Sequence, residues 1–290
     1  MRWKIAALAL ALLLILAPSV GASDNPVGTA SLLDIGLSAR ALAMGGAGIA
    51  VADDANAIYY NPAGLGVLDT HNIAALYTQQ FGAANYMALG YAGPHIGANI
   101  FRLDASGIQE TDPFANETGV FGVTELAGAV GYGRTIWNGL NLGASAKFYM
   151  QNLPENAGRG FTLDAGALLN LLDGKLSFGL VGRNLLGKVR YTSGSEDEFD
   201  RTFGIGVAAR PIEGLLIAAD ACMGNGVAGK FGAEYRYRFA ALRAGMQLSS
   251  ESTCYTAGVG FFMPGFSIDY AYQAHSVLPD SHRISLGAKF

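Results

Sequence analysis

The sequence predicts an all-β protein: a 14-stranded antiparallel transmembrane β-barrel whose lumen is plugged by an N-terminal hatch carrying a short helix. Three observations predict it. An apolar leader opens the chain. From His71 onward, segments of about ten residues alternate between apolar and polar positions and are separated by turn residues, the pattern of outer-membrane strands. Past the leader, no apolar run reaches the roughly 18 to 20 residues a bilayer-spanning helix needs, although 51% of the residues are hydrophobic.

The leader comes first. Arg2 and Lys4 precede an apolar run from Ile5 to Ala17, followed by Pro18 and the small residues around Gly21 and Ala22. This is the order of a cleavable secretory signal peptide, residues 1–22, too short to span a membrane as a helix. Cleavage is expected after Ala22, and no cysteine lies near it to carry a lipid. Removing the leader leaves 17 basic against 23 acidic residues, a net charge of −6. The basic footprint of a nucleic-acid-binding protein is absent. Charged residues make up only 14% of the chain against 40 glycines, 13 tyrosines and 15 phenylalanines, a profile of short strands and tight turns. Cys222 and Cys254 are too few for a disulfide scaffold; they read as small apolar packing residues, with a single disulfide as the alternative.

Residues 23–70 form the hatch. Within them, AMGGAGIAVADDANAIYYNPAGLG (residues 43–66) places glycines at Gly45, Gly46 and Gly48. A dinucleotide site would need G-x-G-x-x-G between a strand and a helix; the third glycine is missing and no βαβ unit follows. Instead, Asp53 or Asp54 caps a short helix through Ala55, Ala57, Ile58 and Tyr59, which Asn61-Pro62 ends because the residue before proline is pushed out of the helical region. The glycines suit tight turns in a confined space.

Residues 71–290 form the barrel. Strands are expected at about 71–78, 84–93, 95–103, 123–135, 139–150, 159–170, 175–184, 200–210, 214–222, 228–238, 240–248, 253–263, 265–273 and 281–290. In one of them Phe161, Leu163, Ala165, Ala167 and Leu169 oppose Thr162, Asp164, Gly166 and Asn170; in another Phe231, Ala233, Tyr235 and Tyr237 oppose Lys230, Gly232, Glu234 and Arg236. One face suits lipid and the other water. Every second connection is very short, as periplasmic turns are, and the others include long loops over 104–122 and 185–199. Trp137, Tyr149, Tyr237 and Phe262, near segment ends, are expected to form interfacial girdles.

The polar faces put Lys147, Asp164, Arg183, Asp220, Lys230, Glu234, Arg236, Arg243, Asp269 and Arg283 in the lumen. Both signs mix, which fits a network holding hatch and wall together better than a selectivity filter. The acidic run Glu196-Asp197-Glu198 with Asp200 has the oxygen ligands for a divalent cation, but a solvated loop is the plainer reading, and no metal or other cofactor is expected. His275-Ser276 and Ser281-His282, with Asp280 near, are the only histidine-serine neighbours. Adjacent strand residues point to opposite faces, so no nucleophile-base contact is expected and the chain does not read as an enzyme.

Two stretches carry a family resemblance. ARALAMGGAGIAVADDANAIYYNPAGLG (residues 39–66), with Asn61-Pro62-Ala63 as its NPA motif, resembles the N-terminal hatch of the FadL family of outer-membrane channels and of its PorV/PorQ relatives. The last segment alternates Ile284, Leu286, Ala288 and Phe290 with polar residues and resembles the terminal strand that the barrel-assembly machinery recognises, with Phe290 as the signal. The resemblance implies an outer-membrane barrel in contact with lipid. It also implies that small hydrophobic ligands, fatty-acid-like or aromatic, enter passively and pass a gate expected at Asn61, Pro62, Ala63 and the nearby Gly45, Gly46 and Gly48. The PorV-like branch implies a different role, that of an envelope partner in a secretion or assembly machinery.

Overall fold

The computed structural model describes residues 30–80, 84–154, 156–224, 226–250, 252–275 and 279–290. The leader, the first residues of the hatch and Ser276 therefore lie outside the described residues. The early strands are β1 (Asn72–Gln80), β2 (Ala84–Ala92), β3 (Ile96–Thr111), β4 (Glu117–Trp137), β5 (Leu140–Leu153), β6 (Asn156–Leu171), β7 (Leu176–Arg183), β8 (Lys188–Tyr191) and β9 (Glu196–Glu198). They are followed by β10 (Thr202–Ala209), β11 (Leu215–Gly224), β12 (Gly226–Tyr237), β13 (Ala240–Ser249), β14 (Thr253–Met263), β15 (Phe266–His275) and β16 (Ser281–Lys289).

All but β8 and β9 form one antiparallel wall of fourteen strands, in the order β5-β4-β3-β2-β1-β16-β15-β14-β13-β12-β11-β10-β7-β6, and β5 pairs with β6 to close it. The seam between β1 and β16 runs from Asn72 opposite Lys289 to Thr78 opposite Arg283. Closure leaves no free edge, which is what strands in hydrocarbon require. The period-2 pattern sets the faces. β2 buries Tyr86 and Ala88 and exposes Met87 and Leu89; β16 buries Arg283 and Ser285 and exposes Ile284 and Leu286. The outward set, which includes Tyr77, Val130, Tyr132, Phe161, Leu180, Phe203, Leu242 and Phe261, is apolar and exposed. In water such a belt would aggregate; against lipid it is solvated.

At one end the connections 93–95, 138–139, 172–175, 210–214, 238–239 and 264–265 are tight, as expected from the sequence. Gly139 takes φ 80° there, and a Cβ on it would also meet the Asn170 carbonyl. His71 and Phe290 exchange backbone hydrogen bonds at this short-turn end.

The structure departs from expectation in three places, the first two at the opposite end. The loop expected over 104–122 is mostly strand: β3 runs on to Thr111 and β4 starts at Glu117, so beyond Ala105 opposite Val123 a two-stranded hairpin rises past its neighbours. Gly107, Gly119 and Gly122 look like loop in the sequence but lie within the strands, while Asp112-Pro113 stays a turn: the Asp112 carboxylate closes the tip by accepting from the Phe114 and Asn116 amides (2.8 and 2.9 Å). The second stretch expected as loop, 185–199, folds into the β8–β9 hairpin, with β8 pairing to the upper part of β6. Here Glu196 and Glu198 face Lys188 and Arg190 rather than a cation site, and hydrogen bonding from Arg190 holds the Glu196 carboxyl below the usual range.

The third correction concerns the girdle. Trp137 and Tyr237 are outward and exposed, but Tyr149 is buried in the lumen, edge-on to Phe199 at 6.2 Å, and Phe262 turns inward under the Arg236 guanidinium at 3.8 Å. Position near a strand end does not choose a face; parity does. Tyr149 shares the inward parity of Ser145 and Lys147.

Inside the wall lies the N-terminal segment. It comprises a 3-10 turn (Ser31–Asp34), a helix (Ala39–Ala43), a second helix (Ala57–Tyr60) and a 3-10 turn (Pro62–Gly66). The Ser38 side chain caps the first helix by accepting from the Arg40 amide at 3.0 Å. The second helix follows Asn56 rather than either aspartate: Asp54 accepts from the Asn56 backbone amide (2.8 Å) and side chain (2.6 Å), an Asx turn one step earlier. Asn61, extended at φ −160°, ends that helix and caps the next turn through the Ala63 amide. Leu32, Leu33 and Leu37 pack with Tyr86, Phe101, Tyr149 and Phe199, and Met44, Ala47, Ala50 and Ala63 with Leu168, Leu216 and Ala218, so the segment shares the wall's core.

Candidate functional site

The N-terminal segment runs round the inner wall and is let into it at inward glycines. The helix Ala39–Ala43 lies on β13 to β16. The Ala39 amide donates to Ser285 Oγ (3.2 Å), while Thr256 Oγ1 donates to the Ala43 carbonyl and accepts from the Gly45 amide (3.0 Å each). Gly45 has φ 65°, and a Cβ there would stand 2.5 Å from the Phe231 carbonyl and 2.6 Å from that of Met246. Neither the conformation nor the space admits a side chain. Gly46 lies against Lys230.

Further round, the Gly48 and Ile49 amides donate to one carboxylate oxygen of Asp220 at 2.7 and 3.0 Å. The Ile49 side chain fills hollows left by Gly204 and Gly206, and its backbone lies against Gly179. Asn61, fully buried, donates from Nδ2 to the carbonyls of Ile49 and Ala167 (3.0 Å each) and Leu180 (3.3 Å), and its Oδ1 sits where a Gly166 side chain would be. One amide thus ties hatch to hatch and hatch to two strands. Pro62 rests on Gly133 and Gly143, and Ala63 is buried beside it.

The lumen charges expected from the sequence do not form one network. Glu234, Arg243 and Asp269 come together: Arg243 bonds Glu234 at 2.6 Å and Asp269 at 2.7 Å. Lys147 and Asp164 form a separate pair at 2.7 Å. Asp220 serves backbone amides. Among the described residues, Arg183, Lys230, Arg236 and Arg283 have no carboxylate within 4 Å; Arg183 and Arg283 donate instead to the Tyr60 and Ile35 carbonyls of the N-terminal segment, so the lumen charges meet that segment in separate contacts rather than in one network.

One residue that joins the N-terminal segment to the wall was not singled out in the sequence. Arg40 makes a two-pronged contact with Glu234 (3.0 Å on each side) and reaches Asp53 and Asp54 at 2.8 Å; Arg210 holds the other oxygen of Asp53 at 2.8 Å. Burial alone would lower the Arg40 pKa, but Asp53, Glu234 and Asp54 raise it well above the ordinary value, so the cation is fixed. The sequence signal was present: Arg40 is a lone cation in an Ala/Gly motif, with an acidic pair thirteen residues later.

Cavities lie on both sides of the segment. At the long-strand end one of about 450 Å³ is lined by Ile35, Leu42, Leu103 and Arg283, among others. At the short-turn end two of about 420 and 650 Å³ share Arg40, Asp53, Glu234 and Arg236. The remaining candidates stay apart. Cys222 and Cys254 are both free and buried. Ser281 is buried in the lumen while His282 faces outward against Tyr270, as strand parity requires. Among the described residues no group of His, Cys, Asp and Glu is arranged to hold a metal. The Phe290 ring is exposed and stacks on His71 at 5.6 Å.

Neither a protein-family model nor a curated protein sequence matches this chain. Solved structures do. The toluene transporter TbuX of Ralstonia pickettii is 15% identical with a TM-score of 0.62, over 88% of this chain and 98% of that one. The toluene transporter TodX of Pseudomonas putida is 14% identical with a TM-score of 0.57, over 88% and 97%. A FadL homologue of Pseudomonas aeruginosa is 11% identical with a TM-score of 0.58, over 93% and 99%. At these identities the likeness is one of fold, and it extends over nearly the whole length of each: the chain is built as a FadL-like barrel.

Proposed function

We propose that the chain is a passive channel of the bacterial outer membrane for small hydrophobic compounds, fatty-acid-like or aromatic, gated by its N-terminal segment. In this reading residues 1–22 are the export signal, 23–70 the hatch and 71–290 the barrel, with the short-turn end in the periplasm. The observation that carries it is a lumen interrupted by one seated segment with a cavity on either side. A barrel that only anchored a partner would have no use for a divided lumen. Three of the solved structures that share the fold are named as toluene or monoaromatic hydrocarbon transporters, which supports the reading without supplying the solute.

Gly45, Gly46, Gly48, Asn61, Pro62 and Ala63 are the hatch residues that seat against the wall when it closes. The seat is weakest between Val51 and Asn56, where Asp53 and Asp54 are held by ion pairs that are partly open to solvent. Opening starts there. The test is uptake of a long-chain fatty acid and of a small aromatic hydrocarbon into liposomes holding the mature protein or Asn61→Ala. A rate that changes with the substitution supports a gated channel. No uptake of either compound by either protein rejects it.

A second reading, an envelope partner of PorV type, is favoured by the free-standing β3–β4 hairpin with Phe114 85% exposed at its tip and Val120 69% exposed. Removing residues 106–122 separates the two: loss of a co-purifying envelope protein with uptake intact supports the partner role, and unchanged co-purification rejects it.

A further inference from the structure

On its outward face the wall carries a group of cations just above the lipid belt. From Leu171 up to Phe161 the outward positions of β6 are apolar, over the roughly 9–11 residues that cross a bilayer core. Phe161 lies opposite Phe148 of β5, and both rings are exposed. The next outward position on β6, about 7 Å further along the strand, is Arg159. It is exposed, and among the described residues it has no carboxylate within 4 Å. Here β8 takes over from β7 as the partner of β6, and it sets Arg190 directly opposite Arg159. Val189 is fully buried, so Lys188 and Arg190 on either side of it face outward with Arg159. The β8–β9 register puts Glu196 and Glu198 on the same face and Asp197, opposite Val189, on the inward one. Those two glutamates serve three cations: Glu196 meets Arg190 at 2.8 Å and Lys188 at 3.5 Å, and Glu198 meets Lys188 at 3.6 Å and Arg201 at 3.8 Å. Arg159 is left over. Elsewhere at this end the exposed Arg102 has its own acid, Asp104, at 2.7 Å.

Like charges directly opposite each other on paired strands repel. A bound anion removes the repulsion, and the planar fork of a guanidinium matches the oxygens of a phosphate. The height of the pair selects the anion. It stands at the upper margin of the apolar belt, where lipid headgroups lie, with Met150 opposite Arg159 and the Phe148–Phe161 pair directly below to meet acyl chains. We propose that Arg159 and Arg190 clasp the phosphate of a phosphorylated glycolipid in the outer leaflet, with Lys188 and Arg201 beside them. A lipid held there spans the junction at which β6 changes partner from β7 to β8, and so braces the β8–β9 hairpin against the wall. Lipid in this position requires the long-strand end to face outward in the outer membrane; it requires no passage of solute.

Native mass spectrometry of the mature protein in detergent measures the retention of lipid A and of chemically dephosphorylated lipid A. The proteins compared are the wild type, the double variant Arg159→Gln with Arg190→Gln, and Arg134→Gln, whose side chain is exposed on the outward face of β4 at the short-turn end. Two guanidinium contacts to one phosphate predict that the wild type prefers lipid A by about ten-fold or more. The double variant loses that preference and Arg134→Gln keeps it. All three substituted side chains are exposed, so the barrels assemble, which the heat-modifiability shift verifies; Arg159→Gln alone, expected to lose most of the preference, serves if the double variant fails that check. Equal retention of the two lipids by the wild type, a preference that survives in the double variant, or the same loss in Arg134→Gln overturns the proposal. So does displacement of lipid A by inorganic phosphate at equal concentration, which marks a site for a free ion rather than a headgroup. Liposome uptake run alongside keeps the readings separate. Lipid A preference without uptake rejects the channel and leaves the lipid site, whereas uptake without the preference rejects the lipid site and leaves the channel.

Discussion

Replacing Arg40 with Gln removes one of the side chains that fasten the N-terminal segment to the wall, and the structure fixes the size of the effect. The two-pronged contact with Glu234 is largely buried, and Glu234 keeps Arg243 at 2.6 Å when Arg40 is lost. The cost therefore falls below the 3–5 kcal/mol of stranding a buried charge, at about 1.5–2 kcal/mol. The pairs with Asp53 and Asp54 are partly exposed and add about 0.5 kcal/mol each at most. The sum, about 1.5–3 kcal/mol, raises the undocked fraction of the segment about 10- to 150-fold. Hydrogen exchange of the Ala39, Gly48 and Ile49 amides reads this directly, because each donates to a side chain of the wall while the segment is docked. A double-mutant cycle with Glu234→Gln assigns the buried share, expected near 1.5 kcal/mol or above. Unchanged exchange in Arg40→Gln, with the barrel intact, would refute the view that this contact holds the hatch.

Asn61→Ala strands buried carbonyls on Ile49 and Ala167, so it is expected to weaken docking by about 2–3 kcal/mol, seen as faster exchange at the Ala63 amide. Gly45→Ala meets both a positive φ and the Phe231 and Met246 carbonyls, and should sharply reduce assembled barrel on a heat-modifiability gel. Gly174→Ala, at φ 76° with nothing within 4 Å, should cost only about 1–2 kcal/mol and leave assembly near normal. Asp220→Ala removes the acceptor for two backbone amides and should cost about 2–3 kcal/mol, with exchange rising at Gly48 and Ile49 ahead of the β11 core. Phe199→Ala empties a buried aromatic site against Tyr149; limited proteolysis should then cut the β8–β9 hairpin first, after a loss of about 3–5 kcal/mol of local packing.

The wall was legible in the sequence because lipid on one side and polar lumen on the other impose a strict period of two, as Ile284, Leu286 and their polar neighbours on β16 illustrate. The β3–β4 extension was not, since its glycines match turn chemistry as well as the true turn at Asp112-Pro113 does, and only cross-strand pairing makes the flanking residues strand. The β8–β9 hairpin hid behind its charges, which read as solvent-facing until Lys188 and Arg190 are seen opposite Glu196 and Glu198. At the site, the motif glycines drew attention but the reason for them lay in the partner strands. Gly166, Gly204, Gly206 and Gly258 stand on inward positions where a side chain would displace Asn61, Ile49 or Ala43. Arg40 escaped because its wall partner Glu234 is distant in sequence, as is Asp53 from Arg210, and the lumen charges tie segment to wall in separate contacts rather than in one network because shared polarity does not establish contact.

The claim that the segment itself closes the lumen is tested most directly by the conductance of the mature protein in planar bilayers, compared with a variant lacking residues 23–66 whose barrel is verified by heat modifiability. Near-silent membranes with the full protein and large, stable conductance steps with the deletion are predicted. An assembled deletion variant as silent as the full protein, or a full protein that already conducts equally, would contradict it.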